Sequence, residues 1–172
     1  MALKLGLRVT ECTGDELGTG AAAELVDLSR EHSMSAFDSS DEDRMRSELS
    51  HEGMHLWRLY DGEALVGFAA WRRDEIHDSI VALLHELQVA AASRRRGIGS
   101  AIVAEIEMRA RSIASCAGLA TCVHEGNADG CRFFEALRFE GTETQAPAFC
   151  MVRPLDGLNA RDAAKLRRGA SG

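Results

Sequence analysis

Residues 85–100 read HELQVAAASRRRGIGS. An apolar, strand-like run carries one acid, Glu86, and leads into a basic glycine loop, Arg94-Arg95-Arg96-Gly97-Ile98-Gly99. A long amphipathic pattern begins at Ser100. A strand that feeds a glycine loop at a helix N-terminus is suited to holding an anion. The first N–H groups of a helix have no intrahelical partner, and the helix dipole adds to them. Arg94, Arg95 and Arg96 in the same loop suit a diphosphate, because the guanidinium fork matches phosphate oxygens.

Working outward, residues 81–90 are nearly continuously apolar, the pattern of a central strand buried on both faces. Downstream, residues 100–116 predict the longest helix. Ile102, Val103, Ile106, Ala110 and Ile113 share one face, Glu105, Glu107, Arg109 and Arg111 the solvent side, and Gly118 is expected as its C-cap. Residues 119–123 predict a short buried strand, Asn127 a glycine-flanked loop, residues 130–137 a short helix, and residues 139–142 and 148–152 two last strands. Upstream, residues 54–60 and 64–72 predict a hairpin across Asp61-Gly62, followed by a polar loop, DEIHDS, at residues 74–79. Residues 5–12 predict a first strand, and residues 21–32 a helix striped by Leu25 and Leu28. A short acidic helix over residues 41–49 is expected to be capped by Ser40. The expected fold class is α/β: a mixed central β-sheet of about six or seven strands, flanked on both faces by about four helices.

A chain of 172 residues is long enough for one sizeable core. The expected organisation is a single domain over residues 1–156 and a basic, flexible tail over residues 157–172. No apolar run approaches the roughly 20 residues of a membrane span, and MALKLGLRVTEC lacks the apolar region of a secretory signal. Cys12, Cys116, Cys122, Cys131 and Cys150 are odd in number and form no CxxC pair. Reduced thiols in a cytoplasmic or nuclear compartment are therefore expected, with no disulfide framework and no metal site. A net charge of −7 disfavours direct nucleic-acid binding and attracts cationic partners.

These residues resemble the GNAT acetyltransferases. Residues 94–99 match that superfamily's R/Q-x-x-G-x-G/A signature in full. Asn127 follows at suitable spacing, and then the helix Cys131-Arg132-Phe133-Phe134-Glu135-Ala136-Leu137-Arg138-Phe139. Within the superfamily the chain is most similar to the NatD family, N-alpha-acetyltransferases of histone N-termini. That family has a strand like Y-E-V-Q-L before R-R-K-G-L-G, and a later F-F-x-x-A-L-x-F-E. Here these are His85-Glu86-Leu87-Gln88-Val89 and Phe133-Phe134-Glu135-Ala136-Leu137-Arg138-Phe139-Glu140.

The resemblance implies acetyl-CoA as cofactor. Gln88, Val89 and Ala90 would hold the pantetheine arm through their backbone. Arg94, Arg95, Arg96, Gly97, Ile98, Gly99, Ser100 and Ala101 would cradle the pyrophosphate, with Asn127 and Phe134 contacting the cofactor further along. Glu86 falls on the catalytic glutamate. On the acceptor side fall Asp74, which would read a basic substrate residue, and Phe37, His85, Cys122 and Phe149. The family tyrosines are missing, since Tyr60 is the only one in the chain. A second family acid falls on Ile76, with Glu75 adjacent to stand in.

The implied reaction is attack of a neutral amine on a thioester. A peptide α-amine has a pKa of about 7.7–8.0, so a base needs to give only modest help. Glu86 is the candidate, because a carboxylate in an apolar strand is expected to have its pKa raised. Phe134 has no proton to give a leaving thiolate. Strand alternation puts His85 and Glu86 on opposite sides. The leading expectation is acetylation of a free protein N-terminus, with histone tails beginning Ser-Gly-Arg-Gly as first candidate and no obligatory auxiliary subunit. A small-molecule amine or lysine acetyltransferase and a non-catalytic acyl-CoA-binding module are the alternatives.

Overall fold

The hairpin across Asp61-Gly62 forms as expected: β2 (His55–Asp61) and β3 (Ala64–Ile76) pair antiparallel, and Gly62 turns the chain at φ +63°. β1 (Arg8–Thr13) adds antiparallel to β2. The coordinates are a computed structural model, which describes residues 6–13, 24, 25, 28, 47, 49–76, 78–124, 126–142 and 148–167. Seven strands form one mixed sheet in the order β1-β2-β3-β4-β5-β7-β6. β4 (Ser79–Val89) pairs parallel with β5 (Cys116–His124), and β7 (Ala148–Pro154) lies antiparallel between β5 and the two-residue β6 (Glu140–Gly141). The described helices are α1 (Ile98–Ala110), α2 (Ala128–Ala136) and α3 (Ala160–Arg167). Residues 24, 25, 28, 47 and 49 are also helical, while Ser40 and its expected cap lie outside the described residues.

The chain divides into two compact units, Met1–Arg72 with His85–Glu105, and Arg73–Leu84 with Ile106–Gly172. In the first, strand alternation turns Leu56, Phe68 and Ala70 into a core with Leu25, Leu28, Leu49 and Met54. Trp57 and Trp71 take the other face of the same strands, with their rings edge-on at 5.7 Å. In the second, Val81, Ala117, Ala120, Val152 and Leu166 form the core.

Three expectations are corrected. Residues 74–79 are not a loop. β3 runs on to Ile76 and β4 starts at Ser79, so the turn is short, with Asp78 at φ +53°. Exposed Arg73 and Glu75 alternate with half-buried Asp74 and Ile76, so a half-solvated strand end reads as polar. The long helix stops at Ala110, not residue 116. The Ser112 hydroxyl bonds the Arg109 carbonyl at 2.6 Å, and the chain tightens into three-residue hydrogen bonds. Gly118 is therefore no helix cap. It lies inside β5, where a Cβ would sit 2.6 Å from the Arg153 carbonyl oxygen. Finally, the region expected to be a frayed tail contains α3. Its Leu166 is fully buried, and its Arg167 pairs with Glu140 at 2.6 Å.

The charged side of α1 is also more than a solvated face. Glu107 accepts from Arg153 at 2.6 Å and from Arg111 at 2.7 Å.

Candidate active site

Glu86 and Gln88 stand two residues apart on β4 and so share one side of the strand. The Gln88 side-chain amide donates to Glu86 Oε2 at 3.1 Å, and Gln88 is only 6% exposed. A buried donor of this kind fixes the carboxylate's rotamer. β3 backs the segment closely. A Cβ on Gly67 would lie 2.7 Å from the Gln88 carbonyl oxygen, and the Ala90 N–H donates to the Val66 carbonyl at 2.9 Å.

After Val89 the chain makes a single 3-10 turn, Ala91–Ser93, and enters the arginine loop. Arg94 folds back, its Nε donating to the Val89 carbonyl at 3.2 Å. Arg95 is exposed at φ +62°. Arg96 pairs with Asp61 of the β2–β3 turn at 2.8 Å, an exposed ion pair worth about 0–1 kcal/mol. Gly97 takes φ +77°, and a Cβ there would meet no atom within 4 Å. The Ala101 N–H bonds the Gly97 carbonyl at 3.0 Å and closes the first helical hydrogen bond. The N–H groups of Gly97, Ile98, Gly99 and Ser100 thus have no intrahelical partner. The first turn carries no acid. Ile98, Ile102 and Val103 are buried and hold this end of α1 in place. Backbone donors, open space beyond a glycine and adjacent guanidinium groups fit the diphosphate of a coenzyme A.

Two residues expected at the cofactor, Ala90 on the pantetheine arm and Ala101 in the diphosphate cradle, have their backbone N–H groups engaged within the protein. Ala90 spends its N–H on Val66 and lends its carbonyl to the Ser93 N–H at 2.8 Å. Ala101 spends its N–H on the helix. Of the residues expected to cradle the diphosphate, Gly97 to Ser100 supply the donors with no helical partner.

The other expected site residues lie in the second unit. Asp74 is half-buried on β3 and accepts from the Glu75 N–H at 2.8 Å, while Glu75 is exposed. The Asn127 side chain caps α2, accepting from the Gly130 N–H at 2.9 Å. Phe134, expected to touch cofactor, is buried in the second unit. It is 7% exposed and packs edge-on between Phe133 at 5.0 Å and Phe139 at 5.2 Å. Phe133 is half-buried. Cys122 is exposed on β5, and Phe149 lies on β7 opposite Val123. Phe37 lies outside the described residues. In the first unit, His85 is half-buried on β4, next to Glu86.

Sequence reasoning missed Gln88 as the side-chain partner of Glu86, Asp61 as the partner of Arg96, and Gly67. The spacing of two residues on a strand is a signal for the first. The second joins residues 35 apart and leaves no local trace. Among the described residues no group of three or more His, Cys, Asp or Glu side chains is placed to hold a metal ion. No helix among them is long and apolar enough to cross a membrane.

The profile of the acetyltransferase (GNAT) family matches residues 21–139. The fold is similar to that of an acetyltransferase from Thermus thermophilus, with TM-score 0.68 and 19% identity over 87% of this chain and 97% of that one. Arabidopsis thaliana NAA60 in complex with acetyl-CoA is similar at TM-score 0.66 and 14% identity, over 88% of this chain and 99% of that one. PaiA N-acetyltransferase from Thermoplasma acidophilum in complex with coenzyme A gives TM-score 0.63 and 16% identity, over 86% and 98%. At such identities the likeness shows the fold. No curated protein matches the chain.

Proposed function

Since the chain belongs to the acetyltransferase (GNAT) family and takes acetyl-CoA as its acyl donor, we propose that it acetylates the free α-amine of a protein N-terminus, with histone tails beginning Ser-Gly-Arg-Gly as the leading acceptor. The observation that carries this reading is Glu86, held by buried Gln88 on the strand that runs into the glycine loop. The finer assignment to the NatD type rests on the resemblance of residues 85–89 and 133–140 to that family.

Bound acetyl-CoA supplies the acetyl group as an activated thioester. The chain's own part begins with the N–H groups of residues 97–100, which bind the diphosphate. The adjacent guanidinium groups add to these donors, Arg96 by exchanging its weak exposed pair with Asp61 for the diphosphate. Glu86 takes the proton that the amine sheds on attack, directly or through one water. Gln88 fixes the carboxylate for that task and acts as a positioning residue. Phe134 gives no proton to the departing thiolate, because it has none and is packed in the core. The acidic balance of the chain suits a basic acceptor such as a histone tail. The reaction is proposed to run in the cytoplasm or nucleus.

One observation favours a second reading, a small-molecule amine or a lysine side chain as acceptor. The only tyrosine, Tyr60, is on β2 with the Arg8 guanidinium 4.4 Å above its ring, so no tyrosine is left to line an acceptor groove. Acetyl transfer to a panel separates the two. The panel holds an SGRGK peptide with a free α-amine, the same peptide with that amine blocked, unrelated N-termini and a polyamine. Transfer to the free SGRGK peptide alone is expected. Transfer to the blocked peptide assigns lysine, and transfer to the polyamine alone assigns a small amine. Glu86→Gln is expected to lower turnover by about ten- to a hundredfold and leave acetyl-CoA affinity within about twofold. Unchanged turnover removes Glu86 from the chemistry.

A further inference from the structure

Cys122 on β5 and Cys150 on β7 are direct cross-strand partners in the antiparallel register. Opposed residues in such a ladder alternate between hydrogen-bonded and non-hydrogen-bonded pairs, and side chains stand closer in the latter. Two observations place this pair in the second class. The Cys150 carbonyl accepts from the Thr142 N–H at 2.8 Å and the Thr142 hydroxyl at 3.0 Å, so its backbone faces the β6 side and turns away from β5. In phase with this, the Leu155 N–H reaches the Ala117 carbonyl on β5 at 3.0 Å, so the odd-numbered residues of that strand face β5. A non-hydrogen-bonded pair has its Cα atoms about 4.5 Å apart, inside the roughly 4.4–6.8 Å that a disulfide spans. The neighbouring Cys150 thiol, with burial second, pushes the Cys122 thiol above its ordinary pKa. Cys122 is exposed and Cys150 half-buried, both as free thiols.

We propose that Cys122 and Cys150 form a thiol–disulfide exchange site that takes a low-molecular-weight disulfide as its oxidant. One cysteine, as its thiolate, attacks a sulfur of the small disulfide, forms a mixed disulfide and releases one small thiol. The second cysteine then displaces the second small thiol and closes the Cys122–Cys150 bond. Two cysteine thiols are oxidised, one small disulfide is reduced to two thiols, and the two cysteine protons leave with those thiols. Attack needs a thiolate, and the Cys122 thiol lies above its ordinary pKa, so closure is slow at neutral pH and faster as pH rises. Cys116 is a different case: burial raises its pKa, its thiol bonds the Gly118 carbonyl at 3.4 Å, and the residue opposite it on β4 is Ile80.

The test incubates the reduced full chain with oxidised glutathione at mildly alkaline pH, traps remaining thiols by alkylation, and maps peptides. Trypsin, which does not cut the Arg153–Pro154 bond, leaves Cys150 as the only cysteine in residues 139–161, and Cys122 with Cys116 and Cys131 in residues 112–132. The expected result is loss of two free thiols and a cross-link between these peptides, placed at Cys122 by fragmentation. Cys122→Ser and Cys150→Ser should each abolish the cross-link and leave one glutathione adduct on the remaining partner. Separate adducts on both cysteines of the unaltered chain, a bridge to Cys116 or Cys131, or two thiols that stay free would each overturn the proposal.

Discussion

α1 and α2 both start in a turn that contains glycine, yet they treat their first N–H groups in opposite ways. α2 opens on Asn127, whose side-chain oxygen accepts from the Gly130 N–H at 2.9 Å. Its Gly130 is tightly packed: a Cβ there would lie 2.7 Å from the Asn127 side-chain nitrogen. α3 repeats the device, with the Asn159 side chain accepting from the Asp162 N–H at 2.9 Å. α1 opens on Gly97, which has no side chain to offer, and the space that a Cβ would enter is open. An uncapped helix start costs stability unless water or a ligand supplies the acceptor. The comparison teaches that glycine at a helix start has two meanings. In α2 it allows an internal cap to close. In α1 it leaves donors for an external anion.

The largest effect expected from this contrast is at Gly97. Gly97→Trp should lower acetyl-CoA affinity at least about a hundredfold, or about 2.7 kcal/mol, in a calorimetric titration. The cost to folding should be no more than about 1–3 kcal/mol, for a side chain at positive φ. Undiminished binding would refute the assignment of the loop. Asn127→Ala should cost about 1 kcal/mol and lower Tm by about 2–4 °C, with Asn127→Asp keeping the cap. Acetyl-CoA affinity of the alanine variant should stay within about twofold. A strong loss of affinity without loss of stability would make Asn127 a cofactor contact and break the contrast. Asn159→Ala should show the smallest effect, about 0.5 kcal/mol in thermal unfolding, with no change in acetyl-CoA binding. Reduced affinity there would tie α3 to the cofactor.

The same division runs through what is legible in the sequence. The hairpin at Asp61-Gly62, the glycine loop and the helix starting near it, and the strand bearing Glu86 are all local patterns. Each is declared by neighbours in the chain: a turn pair, a periodicity, a basic loop. Gly118 misleads because its reason is 35 residues away, in the Arg153 carbonyl that passes 2.6 Å from where its Cβ would be. Phe134 also owes its surroundings to more than its motif. Its burial against Phe139 depends on how α2 leads into the next turn, not on the aromatic motif that flags it.

By itself the sequence determined the α/β order of elements, the phosphate-type loop at residues 94–99 and the single acid of the strand before it. These rest on steric and periodic rules that act over a few residues. Tertiary structure alone decided how that site is equipped. It aimed buried Gln88 at Glu86, drew Arg96 to Asp61, and spent the Ala90 N–H on Val66. It also set Cys150 opposite Cys122 and buried Leu166 of a segment that looks like a tail. Each of these depends on the register between strands or on packing between distant segments. A strand register shifted by one residue would turn every such side chain to the other face.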